Sequence, residues 1–209
     1  MIEIINHGIN EYLSGLIPRR DEVLEEMEQY GESRNFPLIG PLCGTFLLQL
    51  AIITRAKYIF EMGSGFGYSA IWFARGLPAD GKVICTDGDP VNRERALKYF
   101  ERAGVAEKIE FHVGNAQEIL QQFEGPFDII FNDIDKQDYY QVIDLAIPRL
   151  RQGGVLITDN ALWDGKVVEP PDDIYTEGVQ QYNKLIFNNK HFLTTIVPLR
   201  DGLAMSVKL

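Results

Sequence analysis

Two acidic clusters in this 209-residue chain each close a short apolar run. Asp133-Ile134-Asp135-Lys136 follows Phe127-Asp128-Ile129-Ile130-Phe131-Asn132, and Asp159-Asn160 follows Gly153-Gly154-Val155-Leu156-Ile157-Thr158. Both runs are rich in β-branched or aromatic residues, as buried parallel strands are. Ligands bind at the carboxyl ends of such strands. A folded sheet would therefore gather carboxylate and amide oxygens at one edge beside a lysine, a set suited to a hard metal ion and a base. The competing reading is that strand-end Asp and Asn form turns by bonding their own backbone.

A second chemical group lies upstream. Glu61-Met62-Gly63-Ser64-Gly65-Phe66-Gly67 sets glycines at alternate positions between a strand-like and a helix-like segment. Such a loop turns sharply and lets a ligand approach main-chain atoms without meeting a β-carbon. Position 68 is Tyr, so the Gly-x-Gly-x-x-Gly spacing of a dinucleotide fingerprint is missing, and no Gly-Lys-Ser/Thr ending marks a phosphate loop. Asp87 closes the next apolar run, where a carboxylate can accept both ribose hydroxyl protons. With Gly88 and Asp89 beside it, Asp87 could equally serve a polar turn before a helix opening at Pro90.

The elements that must carry these groups alternate. Residues 1–55 read as helical: 20–30 is charged and helix-favouring, Pro37 and Pro41 punctuate, and the apolar stretch 45–53 is expected against the core. Strands are expected at 58–60, 82–86 and 109–113, with helices at 69–75 and 91–103 between them. Further strand–helix units continue through Thr158. The tail runs from a helix at 179–187 into two strands, 192–197 and 202–207, joined by a tight turn at Arg200-Asp201-Gly202, which would make one late strand antiparallel. No internal repeat or linker interrupts the chain, so a single domain is expected, with an N-terminal helical segment over 1–55 and an α/β core over 56–209.

Composition limits the rest. Hydrophobic residues make up 45% and charged residues 24%, ordinary values for a globular protein, and no apolar run reaches the length of a membrane span. The first residues, Met1 to His7, lack a basic start followed by an apolar stretch and a cleavage site, so a cytoplasmic location is expected. Cys43 and Cys85 are too isolated for a disulfide framework or a thiolate metal site. The net charge of −10, from 20 basic and 30 acidic residues, argues against affinity dominated by phosphate backbones. Arg19-Arg20 and Arg93-Glu94-Arg95 read as solvated helix faces. His7, His112 and His191 have no Asp or Ser partner at useful spacing, which supports neither a triad nor a histidine metal site.

Taken together, Glu61 through Ser69, Asp87, Gly114-Asn115-Ala116, Asp133-Ile134-Asp135-Lys136, Asp159 through Gly165 and Asp201-Gly202-Leu203 resemble a family, the class I S-adenosylmethionine-dependent, metal-dependent O-methyltransferases of the catechol and caffeoyl-coenzyme A type. The resemblance implies a Rossmann-like methyltransferase fold of the α/β class. Its sheet would be seven-stranded and mostly parallel with a late antiparallel strand, with helices on both faces and extra N-terminal helices. It also implies that Glu61, Gly63, Gly65, Tyr68 and Ser69 surround the methionine part of the cofactor, that Asp87 holds the ribose, and that Asn115 with Ala116 meets the adenine edge. Asp133, Asp159 and Asn160 would be the metal ligands and Lys136 the catalytic base, with Asp133 also at the cofactor and Asp135 serving the cofactor or holding the lysine. Mg²⁺ is the expected cation, with Mn²⁺ or Ca²⁺ as alternatives. Trp163 is an aromatic wall over a planar substrate or a loop anchor, and Trp72 is a packing residue. The segment from Asp164 to Asp173, with Pro170-Pro171, reads as a mobile lid-like connection.

The chain departs from the family pattern where Asn115 replaces an Asp and where Cys43-Gly44 replaces a Glu or polar residue before the glycine. The first leaves adenine contact open to an amide. The second removes support for a contact from the N-terminal segment. The expected acceptor is a small catechol-like or vicinal-diol molecule, and a homodimer is expected from the resemblance. A transfer-RNA hydroxyuridine acceptor and a non-catalytic cofactor-binding scaffold are the alternatives.

Overall fold

The computed structural model describes Ile4 and residues 6–209. Residues 1–3 and 5, on which part of the export-signal reading rests, lie outside the described residues. Three helices open the chain: α1 (His7–Leu16), α2 (Glu22–Ser33) and α3 (Gly40–Ile53). Asp21 starts α2, its side chain accepting from the backbone N–H of Val23 and Leu24, and Glu22 and Glu25 in the first turn complement the helix dipole. Pro41 falls in the first turn of α3, where its missing N–H costs nothing.

The expectation that the apolar stretch 45–53 lies wholly against the core is only partly met. Cys43, Leu47 and Ala51, four residues apart, share one buried face, while Ile52 and Ile53 are 57% and 75% exposed. Helical periodicity permits one face to be covered, and the end of α3 turns its last isoleucines outward.

The core begins with β1 (Tyr58–Met62), α4 (Tyr68–Gly76), β2 (Lys82–Asp87), α5 (Pro90–Arg102), β3 (Ile109–Val113) and α6 (Ala116–Leu120). It continues with β4 (Phe127–Asn132), α7 (Tyr139–Arg149), β5 (Leu150–Thr158), α8 (Ile174–Phe187), β6 (Phe192–Val197) and β7 (Leu203–Lys208). The strands form one sheet in the order β3-β2-β1-β4-β5-β7-β6. β1 to β5 are parallel, and β7 runs antiparallel to both β5 and β6. The tail hairpin expected from the sequence is therefore present, and the single reversed strand is β7.

Alternating residues of the strands feed two apolar layers. Ile59, Ile129 and Phe131 pack with Leu24, Leu47 and Phe73 on one face, and Phe60, Met62 and Ile130 pack with Tyr139, Val142 and Val179 on the other. Helices thus cover both faces, which is what a parallel sheet without polar alternation requires. Close approach of α3 to α4 depends on Gly44, where a β-carbon would run into the Trp72 indole. Trp72 is accordingly a packing residue, 6% exposed.

Two further expectations need adjustment. α8 begins at Ile174 rather than 179, because the Asp173 side chain accepts from the Thr176 N–H at 2.7 Å and nucleates an earlier turn. The connection expected to be a lid opens with 3₁₀ turns over Trp163–Val168, kinked where Asp164 and Gly165 take positive φ angles of 50° and 79°. Gln180 on α8 donates to the carbonyls of Val167 and Glu169 and ties that connection to the helix.

Candidate active site

The order β1-β4-β5 in the sheet brings the two chemical groups of the sequence to one edge. Register pairs Met62 with Asn132 and Asn132 with Thr158, so the residues that follow, Gly63, Asp133 and Asp159, leave adjacent strands side by side. The Asp133 N–H donates to the Met62 carbonyl and the Asp159 N–H to the Asn132 carbonyl, extending the ladder to the point where the chain departs. Gly63 sits at φ 83° with the Asp133 backbone against it, and a β-carbon there would stand 2.8 Å from the Asp133 carbonyl carbon. Only glycine allows the loop after β1 to lie this close to the acidic turn after β4.

A cleft of about 370 Å³ opens above this junction. Gly63, Gly65, Tyr68, Ser69, Asp87, Asn115, Ala116, Asp133, Asp135 and Lys136 all line it. Phe36, Pro37, Leu38 and Ile39, from the connection between α2 and α3, form a further wall. That wall is absent from the sequence reading, since nothing in a Phe-Pro-Leu-Ile stretch distinguishes a cleft wall from an ordinary loop anchor.

The Asp87 carboxylate spans the first turn of the cleft: Oδ2 accepts from the Gly65 N–H at 3.0 Å, and Oδ1 accepts from the Asp89 N–H and the Asn92 side chain. The turn-forming reading of Asp87 is thus met, and the same partners fix its carboxylate at the cleft wall. Asn115 caps α6, its side-chain oxygen accepting from the N–H groups of Gln117 and Glu118. Tyr68 is 1% exposed and donates its hydroxyl to Glu28 at 2.6 Å, while Arg20 holds the same carboxylate at 2.8 Å. Arg20 therefore lies in the loop before α2 as a partner of Glu28 rather than on a solvated helix face.

Glu61 lies beneath the glycine loop with no exposure. The Ser69 hydroxyl donates to its Oε1, and its Oε2 has no hydrogen-bond partner among the described residues. Burial pushes this carboxyl up to about 8, the nearby Ser69 and Ser64 hydroxyls oppose the rise, and the charges of Asp133 and Asp87 add to it. Glu61 thus leaves one buried carboxyl oxygen without a partner next to the residues that line the cleft, an unmet polar group that a buried site ordinarily satisfies.

At the acidic edge each carboxylate already faces a cation of the chain. Lys136 Nζ stands 3.2 Å from Asp133 Oδ1, and the Lys136 side chain is 17% exposed. The lysine partner is thus Asp133 rather than Asp135. Withdrawal from water and the neighbouring Asp159 charge raise the Asp133 carboxyl above its ordinary range, while Lys136 and Arg200 oppose the rise. Asp159, 1% exposed, is paired through Oδ2 with the Arg200 guanidinium. The Asn160 amide donates to Asp201 Oδ2 at 3.1 Å, and Asp201 also accepts from the Asp164 N–H.

Arg200 is the residue of the acidic edge that the sequence reading passed over as part of a turn. Its signal was positional: an antiparallel strand pairing Thr158 with Ala204 must carry the preceding turn past Asp159. Cys43 on α3 is its neighbour, and burial first, then the Asp159 charge, pushes that thiol up to about 12 despite the opposing guanidinium.

Trp163 does not line the cleft but stands next to it. Its indole N–H donates to the Thr176 hydroxyl at 3.2 Å, which anchors the loop, and Lys136 Nζ lies 5.7 Å from its ring centroid. Among the described residues no group of three or more His, Cys, Asp and Glu side chains could hold a metal ion. The edge instead offers two carboxylates and one amide. Oxygen donors of this kind suit a hard divalent cation, and the unpartnered buried Asp159 Oδ1 gives such a cation one ready ligand.

Comparison with known proteins fits this geometry. The family model described as O-methyltransferase matches residues 19–209. A catechol O-methyltransferase of Niastella koreensis is 33% identical, with 97% of each chain covered. Caffeoyl-CoA O-methyltransferase 1 of Eucalyptus globulus is 32% identical over 92% of this chain and 84% of its own. Among solved structures, an O-methyltransferase from Bacillus cereus in complex with SAH superposes with a TM-score of 0.88 at 31% identity, covering 97% of both chains. The O-methyltransferase TomG of Streptomyces achromogenes, in complex with SAM, gives a TM-score of 0.87 at 29% identity with 96% of both chains covered.

Proposed function

The chain belongs to the O-methyltransferase family, a family of S-adenosylmethionine-dependent transferases, and from that premise we propose that it moves a methyl group to one hydroxyl of a small catechol-like or vicinal-diol acceptor with the help of a divalent cation. The observation that carries this reading is the close packing of Gly63 on the Asp133 backbone, which joins the glycine loop and the acidic turn after β4 in one cleft, with Asp159 and Asn160 behind its lining at the end of the adjacent strand.

S-adenosylmethionine, when bound, supplies a methyl group on a positively charged sulfur. Glu61, with its unanswered oxygen, receives the ammonium of the methionine part, and Gly63, Gly65 and Ser69 let that part lie against the loop backbone. The ribose hydroxyls donate to the Asp87 carboxylate, which Gly65, Asp89 and Asn92 hold in place. Asn115 and Ala116 meet the adenine edge at the start of α6.

Asp133, Asp159 and Asn160 would hold the divalent cation, which when bound would lower the cost of ionising an acceptor hydroxyl. The acceptor oxygen would form its bond to the methyl carbon as the carbon–sulfur bond breaks and S-adenosylhomocysteine leaves. The hydroxyl proton would pass to Lys136 Nζ in its neutral amine form, since the ammonium paired with Asp133 has no lone pair to take it. Positioning the oxygen in line with the methyl group is the main contribution of the chain, because displacement needs near-contact geometry more than further chemistry. The Trp163 indole stands outside the cleft beside Lys136 and would wall a planar ring only where that ring extends past the lysine.

The test is methyl transfer from labelled cofactor to a panel of catechols and vicinal diols and, in a separate arm, to unmodified total RNA, each with and without Mg²⁺. Metal-dependent label in a catechol supports the reading. Label in RNA alone would replace the acceptor class, and label in neither would sink the reading.

A further inference from the structure

Two acidic side chains, Asp133 and Asp159, and two basic ones, Lys136 and Arg200, meet at the acidic edge, so each acid has a basic partner before any metal arrives. Lys136 is close by in sequence and lies in the same turn as Asp133. Arg200 comes from the turn between β6 and β7, in a left-handed backbone conformation at φ 53°, and reaches over the end of β5. Its guanidinium takes Asp159 Oδ2, while Asp159 Oδ1 has no partner among the described residues and the carboxylate is 1% exposed. The neighbouring residue Asp201 holds Asn160. A single turn therefore grips both of the residues that β5 contributes to the proposed metal site.

We propose that Arg200 is a resident cation that competes with the divalent metal for Asp159. This inference rests on the reading of Asp133, Asp159 and Asn160 as metal ligands and adds a regulator of their affinity. Without metal, the guanidinium compensates a buried carboxylate that would otherwise be an isolated charge, and the edge stays assembled. When a divalent cation binds Asp159 Oδ1, it meets the fixed positive charge of Arg200 on the same carboxylate, and the two cations repel. Because the guanidinium stays protonated at any working pH, the competition cannot be relieved by deprotonation, only by movement of the side chain. Arg200 is 34% exposed, so its outer part has a route to solvent. The consequence is a metal site of weak affinity that remains folded when empty of its ion.

The experiment compares Mn²⁺ binding by electron paramagnetic resonance in the wild-type chain, Arg200→Met, Arg200→Gln, Arg200→Lys and Asp159→Asn, with thermal melts of each in metal-free buffer. Arg200→Gln keeps a neutral donor for Asp159, which protects the fold should Arg200→Met fail to fold. Removing the charge should tighten Mn²⁺ binding at least about tenfold in Met and Gln, and Lys should stay near wild type. Arg200→Met should melt lower than wild type without metal and recover with Mn²⁺. Mn²⁺ binding that is lost in Asp159→Asn but unchanged or weakened in Arg200→Met and Arg200→Gln would overturn the competition and leave the metal site standing. Absence of Mn²⁺ binding in every variant would overturn the ligand assignment and the competition together, while methyl transfer itself could still be assayed.

Discussion

Gly178 on α8 lies directly on the backbone of the Lys136 turn, where a β-carbon would stand 2.9 Å from the Lys136 carbonyl carbon and 2.8 Å from Gln137 Cα. The obstruction is backbone, which cannot swing aside as a side chain does. Gly178→Ala should therefore displace the turn that carries Lys136. Overpacking of this kind costs roughly 1–3 kcal/mol. In a chain of this size each kcal/mol corresponds to roughly 2–4 °C in melting temperature. Thermal melts should show a drop of several degrees together with reduced methyl transfer. A variant with wild-type melting and turnover would mean that α8 does not set the position of the lysine.

Lys136 tests the base assignment more directly. Lys136→Met keeps the stem volume and its packing beside Tyr139 and Trp163 while removing the amine. Turnover on a catechol should fall roughly 10²–10⁴-fold with cofactor affinity unchanged. Lys136→Arg should not restore it, since a guanidinium cannot accept the proton. Near-normal turnover in the Met variant would remove Lys136 from the chemistry, and a loss matched by a fall in melting temperature would assign it a structural role through its pair with Asp133.

The sequence made the strands and the two chemical groups legible because both are local signals. Residues 129–131 and 155–157 are short apolar runs, each followed two residues on by an acidic residue, Asp133 or Asp159, and parallel strands must deliver those ends to a common edge. The residues that were not legible act over long separations. Tyr68 meets Glu28 across forty positions, and Arg200 meets Asp159 across forty-one, and neither spacing follows from helical or strand period. Arg200 was hidden further because Arg-Asp-Gly reads as turn chemistry, which it also is: its backbone makes the turn while its side chain reaches the acidic edge. The exposed Ile52 and Ile53 misled in the opposite direction, since hydrophobic character alone does not say which face of a helix the core covers.

Asp87 has two tasks, and a pair of variants separates them. Asp87→Ala removes the proposed ribose acceptor together with the partner of the Gly65 N–H, and should weaken S-adenosylmethionine binding by about 1–3 kcal/mol. Asn92→Ala removes one support of the carboxylate but leaves the acceptor, and should cost less. Calorimetry giving equal losses for the two would show that loop order, not a ribose contact, sets the affinity.

Glu61 makes the fold sensitive to pH in a defined direction. Its carboxyl stays protonated in the folded chain up to about 8, against an ordinary value of 4.5. Between those two values the unfolded chain binds fewer protons than the folded chain, so the contribution of this group to stability is lost as pH rises and levels off above the folded value. Glu61→Gln, neutral at every pH, should abolish that component. Melting temperature measured without ligand from pH 5 to pH 9 should decline more steeply for wild type than for Glu61→Gln, with the variant the more stable at the alkaline end. All other titrating groups are common to both chains, so the difference between the curves isolates Glu61. Saturating S-adenosylmethionine should then raise the wild-type melting temperature more at pH 8 than at pH 6, because an ammonium at the unanswered oxygen favours the ionised carboxylate, and the variant should lose that trend. Parallel curves for the two chains without ligand would show that the buried carboxyl is not displaced from its ordinary range, and an equal cofactor effect at both pH values would remove Glu61 from the methionine site.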